Sequence, residues 1–233
     1  MLQTNVPVYQ AATIAMDTVV SLQVVTPEDE SRVRPALQRA LDWFTAVERA
    51  CSRFDPNSEL RQLIRQVGQP VQVSPVLFEA VRFALGLARL TSGAFDPTIG
   101  HVLEAKGFNR HYVTGETIVS PDVDSNASYR DVKLGVGRTI RLRRPLVLDL
   151  GAVAKGLAID LAACELADFG NYCLEAGGDL FAGGHNPDGQ PWRVGIQDPR
   201  DPNALAATVD VSDQAVCTSA TTSGERLMVA AIT

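Results

Sequence analysis

The clearest periodicity in the chain lies between Ser74 and Gly93. Leu77, Ala80, Val81, Ala84, Leu85 and Ala88 recur three and four residues apart, which predicts a helix packed against a core. Ser74 suits its N-cap, Pro75 the first helical position, and Gly93 the C′ position after the last turn. An earlier helix is predicted up to about Ala50, with Val33, Leu37, Leu41, Phe44 and Val47 on one face. Thr26-Pro27-Glu28 offers it a cap, but Pro35 lies too deep for a helix starting there. Either the helix begins near Ser31 with Pro35 in its first turn, or it kinks. Asp55-Pro56-Asn57 is a turn signal, after which Ser58-Glu59 can open another helix. Ala152–Phe169 carries a helical pattern with few breakers.

The β signals are shorter. Met16–Val25 alternates loosely and is rich in β-branched residues, which predicts one strand. Leu134–Leu150 reads as two or three strands around Gly135-Val136-Gly137, with Leu146, Val147 and Leu148 forming a buried strand that ends on Asp149. Tyr172–Glu175, Trp192–Ile196 and Thr208–Val211 read as further strands, and Gly184–Gly189 as a hairpin turn. Residues 109–131 are polar and read as a surface excursion. The order is strand, helices, strands, helix, strands, which predicts an α+β fold of mostly antiparallel sheets with packed helices. With no repeat and no long linker, residues 1–233 read as a single domain.

Composition narrows the function classes. The 233 residues are 45% hydrophobic and 21% charged, an ordinary globular balance that excludes a disordered chain. A net charge of −6 without a Lys/Arg run argues against nucleic acid as a partner. No apolar run reaches membrane-spanning length, and MLQTNVPVYQ lacks the regions of a signal peptide. The expectation is a cytoplasmic protein, or a periplasmic membrane-anchored one if an export signal has been removed. Cys51, Cys164, Cys173 and Cys217 form no C-x-x-C pair and read as free thiols. His101, His111 and His185 show no metal-ligand spacing, so a metal here would be a hard cation held by oxygen.

The segment richest in chemistry is LDLGAVAKG, Leu148–Gly156. An apolar run that turns on glycine into a helix presents free amides and a positive dipole end, which suit a phosphate. Lys155 adds a cation there, and Asp149 an acceptor for a sugar hydroxyl, a ring N–H or a metal-bound water. The order matches neither a Walker A loop nor a G-x-G-x-x-G fingerprint, and an ordinary turn with a solvated lysine accounts for the same spacing. Ser52–Asp55, Gly93–Asp96 and Gly177–Asp179 are three more glycine- or aspartate-bearing loops. Together the four suit a large ligand with a sugar, phosphates and an aromatic ring. Singly, Phe54 and Phe95 also read as core aromatics, Asp96 and Asp179 as turn caps, and Trp192 as core.

These segments resemble the ApbE family of flavin transferases (FAD:protein FMN transferase, once called a thiamine-biosynthesis lipoprotein). Met16-Asp17-Thr18 resembles the family's M-G-T, and Ser52–Leu60 its S-x-[YF]-x-P-x-S-E-L. Thr91–Gly100 is similar to T-x-G-A-F-D-P-T-[VI]-G, and Leu148–Asp160 to L-D-L-G-x-[IV]-A-K-G-x-[AV]-x-D. Ala176–Asp179 resembles the G-G-[ND] turn, Trp192–Pro199 the W-x-[VI]-G-I-x-D-P segment, and Ala215–Gly224 the A-[VC]-x-T-S-G region.

The resemblance implies an FAD site. Met16 and Phe54 would contact the flavin or adenine ring, and Ala94, Phe95 and Asp96 would line the dinucleotide site. Asp149 and Lys155 would bind FAD, and Ala152 would offer its carbonyl to Mg²⁺. The implied reaction moves FMN from FAD to a threonine of a flavoprotein target, with Mg²⁺ offsetting charge on the pyrophosphate and AMP leaving. Asp17 stands where the family has glycine, adding a carboxylate near a site meant for pyrophosphate. The family's H-x-x-D-P-x-T-G and D-A-x-x-T segments, which supply a catalysis-linked histidine and two Mg²⁺ side-chain ligands, have no counterpart before Thr233. The resemblance therefore implies a chain lacking the family's C-terminal segment. It leaves two alternatives to the transferase: a non-catalytic FAD-binding protein and a Mg²⁺-dependent FAD pyrophosphatase.

Overall fold

The computed structural model describes residues 6–110, 115–120, 122–198, 200–218 and 229–232. Strands β1 (Val8–Ala15) and β2 (Thr18–Val25) lead into α1 (Glu30–Cys51), α2 (Glu59–Ile64), β3 (Pro70–Gln72), α3 (Pro75–Leu90) and α4 (Gly100–Ala105). Strands β4 (Val132–Gly135) and β5 (Thr139–Leu142) precede α5 (Gly151–Leu166). The order ends with β6 (Tyr172–Ala176), β7 (Asp179–Gly183), β8 (Trp192–Asp198), β9 (Asp201–Val211), β10 (Gln214–Val216) and β11 (Val229–Ile232). Paired strands among the described residues run antiparallel, and the fold is α+β as expected. No helix among the described residues is long and apolar enough to cross a membrane.

The chain forms two units: Met1–Phe44 with Ala158–Thr233, and Thr45–Leu157. The divisions fall inside α1 and α5, so helices and not linkers carry the chain across them.

In the first unit, one sheet has the order β1-β2-β6-β7-β10 and a second the order β11-β8-β9. The single strand expected over Met16–Val25 begins two residues later. Met16 and Asp17 both take positive φ, 54° and 64°, and close a two-residue hairpin in which Ala15 faces Thr18. Positive φ at both central residues is the geometry that matches the twist of paired strands. Gly184–Gly189 does turn, with Gly189 N–H donating to Asn186 O at 2.9 Å, but it joins β7 to β8 in different sheets and is no hairpin. Trp192 is core as expected: fully buried among Val25, Cys173, Leu180, Ala182, Val194 and Val211, it donates its indole N–H to Gly183 O at 3.0 Å. Helix α1 starts at Glu30, where Asp29 Oδ1 accepts the Ser31 amide at 2.8 Å, and Pro35 lies within it.

In the second unit, α2 and α3 begin on serine caps. Ser58 accepts from the Arg61 amide and Ser74 from the Leu77 amide. The buried face of α3 is Leu77, Ala80, Val81, Ala84, Leu85 and Ala88, the six positions the periodicity selects. Its end departs from expectation: Ser92, with φ 53°, occupies the left-handed C′ position. Gly93 N–H then reaches back to Ala88 O at 2.8 Å and Ser92 N–H to Arg89 O at 3.1 Å, the paired bonds of a Schellman end. The sheet of this unit has the order β3-β5-β4. Leu146–Leu148 is buried but is not a strand of it; Val147 makes a lone parallel bridge to Ile99.

Candidate functional site

The turn into α5 is fixed from three directions. The Asp149 amide donates to Pro97 O at 2.8 Å, and Asp149 Oδ1 accepts the Gly151 amide at 3.0 Å. Leu150 O receives the Val153 and Ala154 amides, both at 2.9 Å, starting the helix ladder. The Thr91–Gly100 loop is strapped to the same segment, because Gly100 N–H donates to Val147 O at 3.1 Å. A Cβ on Gly100 would lie 2.5 Å from Val147 Cγ1 and 2.8 Å from Val147 O, so only glycine admits this approach. Ala152 is exposed in the first turn of α5, and half-buried Lys155 follows Gly151 by four residues on the same helix face.

Asp96 acts as a turn cap. Its Oδ1 accepts the Thr98 amide at 2.9 Å and the Thr98 hydroxyl at 2.7 Å, while Oδ2 accepts the Tyr129 amide at 3.1 Å. Ala94 is exposed, and Phe95 is half-buried with its amide on Thr91 Oγ1 at 3.0 Å.

The residue that sequence reasoning missed is Arg53. Only 3% exposed, it donates from Nε to Asp149 Oδ2 at 2.8 Å, from Nη1 to Glu104 Oε1 at 3.2 Å and from Nη2 to Phe108 O at 2.7 Å. Its guanidinium carbon lies 4.4 Å from the centroid of the half-buried Phe54 ring. A second buried arginine, Arg61, donates to Ser120 Oγ at 2.6 Å and Val119 O at 3.0 Å, and Ser120 in turn donates to Glu104 Oε1 at 2.6 Å. Burial pushes the Arg61 pKa down and Glu104 opposes that push. Two arginines and two carboxylates thus close near zero net charge, so Arg53 offsets part of the negative charge that Asp149 brings to the start of α5. The remaining residues of Ser52–Leu60 build this arrangement. Ser52 Oγ accepts the Phe54 and Asp55 amides, Ser58 Oγ donates to Ser52 O at 2.6 Å, and Glu59 grips Ser74 through its amide and hydroxyl. The available signal was an aspartate ending an apolar run, which needs a countercharge; nothing local names Arg53 as that charge.

In the first unit, three other singled-out segments meet at one end of the five-stranded sheet. Because Val20 faces Ala176 across β2 and β6, the Met16-Asp17 turn lies beside the Gly177-Gly178 turn. Both glycines have positive φ, and a Cβ on them would come within 2.5 Å of Thr18 Oγ1 and Thr218 Oγ1 respectively. Gly178 N–H donates to Glu175 Oε1 at 2.9 Å, and Thr218 N–H to Asp179 Oδ1 at 3.0 Å. Met16 is half-buried here. Residues 219–224 of the Ala215–Gly224 match, and His111, lie outside the described residues.

A family model described as the ApbE family matches residues 16–226. The chain belongs to the ApbE family. A Vibrio cholerae serotype O1 protein named FAD:protein FMN transferase is 30% identical over 202 residues, covering 82% of this chain and 58% of that one. A Rhodobacter capsulatus protein of the same name is 35% identical over 139 residues, 57% of this chain and 26% of its own. The chain thus spans little more than half the length of the first of these relatives and about a quarter of the second. The solved ApbE protein of Thermotoga maritima superposes with a TM-score of 0.78 at 26% identity, covering 94% of this chain and 74% of that one. The flavin transferase ApbE of Vibrio cholerae gives 0.73 at 26% identity, over 91% and 72%.

Of the ApbE-like segments, Ser52–Leu60, Thr91–Gly100 and Leu148–Asp160 fall at or against the α5 turn, and Met16–Thr18, Ala176–Asp179 and the described part of Ala215–Gly224 at the paired turns, while Trp192 begins β8 in the core of the first unit. A Mg²⁺ site is not among these places. No three His, Cys, Asp or Glu side chains of the described residues gather to hold a metal ion. The Ala152 carbonyl is a single oxygen within a helix ladder, and Asp149 already serves Arg53 and Gly151. Mg²⁺ asks for near-octahedral oxygen ligation, so these residues do not by themselves make its site.

Proposed function

We propose that the chain is an FAD:protein FMN transferase, moving FMN from FAD to a threonine hydroxyl of a target flavoprotein. One observation carries this reading: the ApbE match runs through residues 16–226, and the relatives at 30% and 35% identity bear that name. The α5 turn supports it chemically. The helix dipole, Lys155 and the Ala152 amide together suit the FAD pyrophosphate, the Gly151, Val153 and Ala154 amides being held by Asp149 and Leu150. Asp149 keeps lone pairs beyond those given to Arg53 and Gly151 and accepts a sugar hydroxyl. Within the second unit, Ala94, Phe95 and Asp96 line the dinucleotide and Phe54 takes a ring system.

In the proposed reaction the threonine Oγ forms a bond to the FMN-side phosphorus. The phosphorus–oxygen bond to AMP breaks, the bridging oxygen leaves with AMP, and the hydroxyl proton passes to the AMP phosphate or to water. The protein's share is positioning and charge: Lys155 and the positive end of α5 hold the pyrophosphate in line, and Arg53 offsets the Asp149 charge beside it. Mg²⁺ enters as an expected requirement with Ala152 as one contributor, and no step here runs through it.

The test is product analysis after mixing the protein with FAD, Mg²⁺ and a flavoprotein bearing the acceptor threonine. Covalent FMN on the target with an equal amount of AMP supports the transferase. AMP with free FMN supports a pyrophosphatase instead, and intact bound FAD a binding protein. EDTA is expected to abolish transfer.

A further inference from the structure

The small sheet of the second unit is far more basic than the chain that contains it. Residues 129–144 hold Arg130, Lys133, Arg138, Arg141, Arg143 and Arg144 against Asp131 alone, a net of +5 in 16 residues of a chain whose total is −6. Asp131 is already engaged, by Arg144 at 3.4 Å and by the Ser128 amide at 3.1 Å, and Arg144 also pairs with Asp124 at 2.8 Å. Lys133 and Arg141 face each other directly across β4 and β5, both exposed, while their neighbours Val132, Ile140 and Leu142 are buried. Neither cation has an ion pair among the described residues. Like charges directly opposed on one sheet face cost stability, so this face keeps a charge that folding alone disfavours.

Beside it lies a depression of about 400 Å³ lined by Arg89, Tyr129, Arg130, Val132, Lys133 and Leu134. Its lining carries three cations from three different elements and no carboxylate. Arg130 is braced 4.6 Å over the Tyr129 ring. The Tyr129 amide, in turn, holds Asp96.

We propose that the exposed face of β4 and β5, with this depression, is a docking surface for an acidic segment of a partner protein. The proposal rests on the transferase reading only for the identity of that partner, the protein that presents the acceptor hydroxyl. Charge complementarity selects the occupant. A long polyanion such as nucleic acid is repelled by the net negative chain, whereas a short acidic segment meets only the +5 face. An anionic membrane needs apolar insertion besides charge, and the face offers the single exposed Val136 at the hairpin tip.

The test uses the full chain and a fluorescein-labelled peptide of alternating Asp and Gly as the probe. Anisotropy is expected to show binding that weakens severalfold between about 50 and about 200 mM salt, as exposed charge pairs do. The Lys133→Glu/Arg141→Glu double variant is expected to lose about tenfold or more in affinity, while the Arg193→Glu control keeps it. FAD affinity, titrated in parallel, stays unchanged in the double variant. The single variant Lys133→Glu places opposite charges across β4 and β5 and is expected to raise Tm by about 1–4 °C, while a double-variant Tm near the wild-type value excludes misfolding as the cause. No peptide binding, equal binding to the double variant, or preferential binding to phosphatidylcholine vesicles containing phosphatidylserine overturns the proposal. Failure of FAD to bind the wild-type chain overturns the transferase reading and leaves the docking face standing.

Discussion

Replacing Arg53 by Met keeps most of the side-chain volume and removes the guanidinium. Asp149 Oδ2 then loses its cation, Glu104 Oε1 the nearer of its two with Arg61 left at 4.0 Å, and Phe108 O its donor, with the two carboxylates only 18% and 13% exposed. Breaking a buried ion pair from one side costs about 3–5 kcal/mol, and a stranded carbonyl about 1–3 more. Residual water at the carboxylates offsets part of this, so the expected loss is about 4 kcal/mol, or a Tm about 8–16 °C lower at this chain length. Urea unfolding followed by circular dichroism reads it directly. The double variant Arg53→Met/Asp149→Asn removes the paired charges together, leaves Glu104 to Arg61 at 4.0 Å, and is expected to recover most of the loss. A second readout separates position from mere stability. With Arg53 gone, the Asp149 charge faces the α5 N-terminus unopposed and FAD affinity falls; Asp149→Asn in the same background restores it. A loss under about 1 kcal/mol, or a double variant no more stable than the single one, refutes the ionic network as the support of this turn.

Three further outcomes are expected. Gly100→Ala forces a methyl against Val147 and costs about 1–3 kcal/mol by urea unfolding, with the Thr91–Gly100 loop showing faster amide exchange. Burial pushes the Cys51 and Cys173 thiols from 9.0 up to about 12, so in the native protein Ellman's reagent labels the exposed Cys164 and Cys217 first and the buried pair only after unfolding. The same shift gives a pH dependence. The unfolded thiols ionise near 9 while the native ones do not, so stability present below pH 9 declines as pH rises toward 12, measurable as a falling urea midpoint.

What the sequence reveals divides along local and long-range lines. Helix α3 is legible because Ser74, Pro75 and six apolar positions act within one helix. Its end shifts by a residue because Ser92 accepts a left-handed backbone that glycine ordinarily takes. The Met16-Asp17 turn is hidden because Met16 is no turn former and Asp17 has neither glycine nor asparagine beside it, and β1 because VYQAATIA has little apolar contrast. Leu146–Leu148 has the composition of a buried strand, yet an apolar run reports burial and not pairing. The turn near Gly189 is read correctly, but local chemistry cannot say that its flanking strands belong to different sheets. Around the α5 turn, Asp149, Ala152 and Lys155 are legible from glycine spacing and family pattern. Arg53 is not, because the groups that bury its charge lie 51 and 96 residues away.

The proposed function stands or falls on whether the α5 N-terminus anchors the pyrophosphate of FAD. The most direct measurement is FAD affinity by isothermal titration for the wild-type chain and for Lys155→Ala, with circular dichroism confirming that the variant is folded. A charge-assisted phosphate contact is worth about 1.5–3 kcal/mol, so the variant is predicted to bind about 10- to 100-fold more weakly. Equal affinity in the two proteins would contradict the claim.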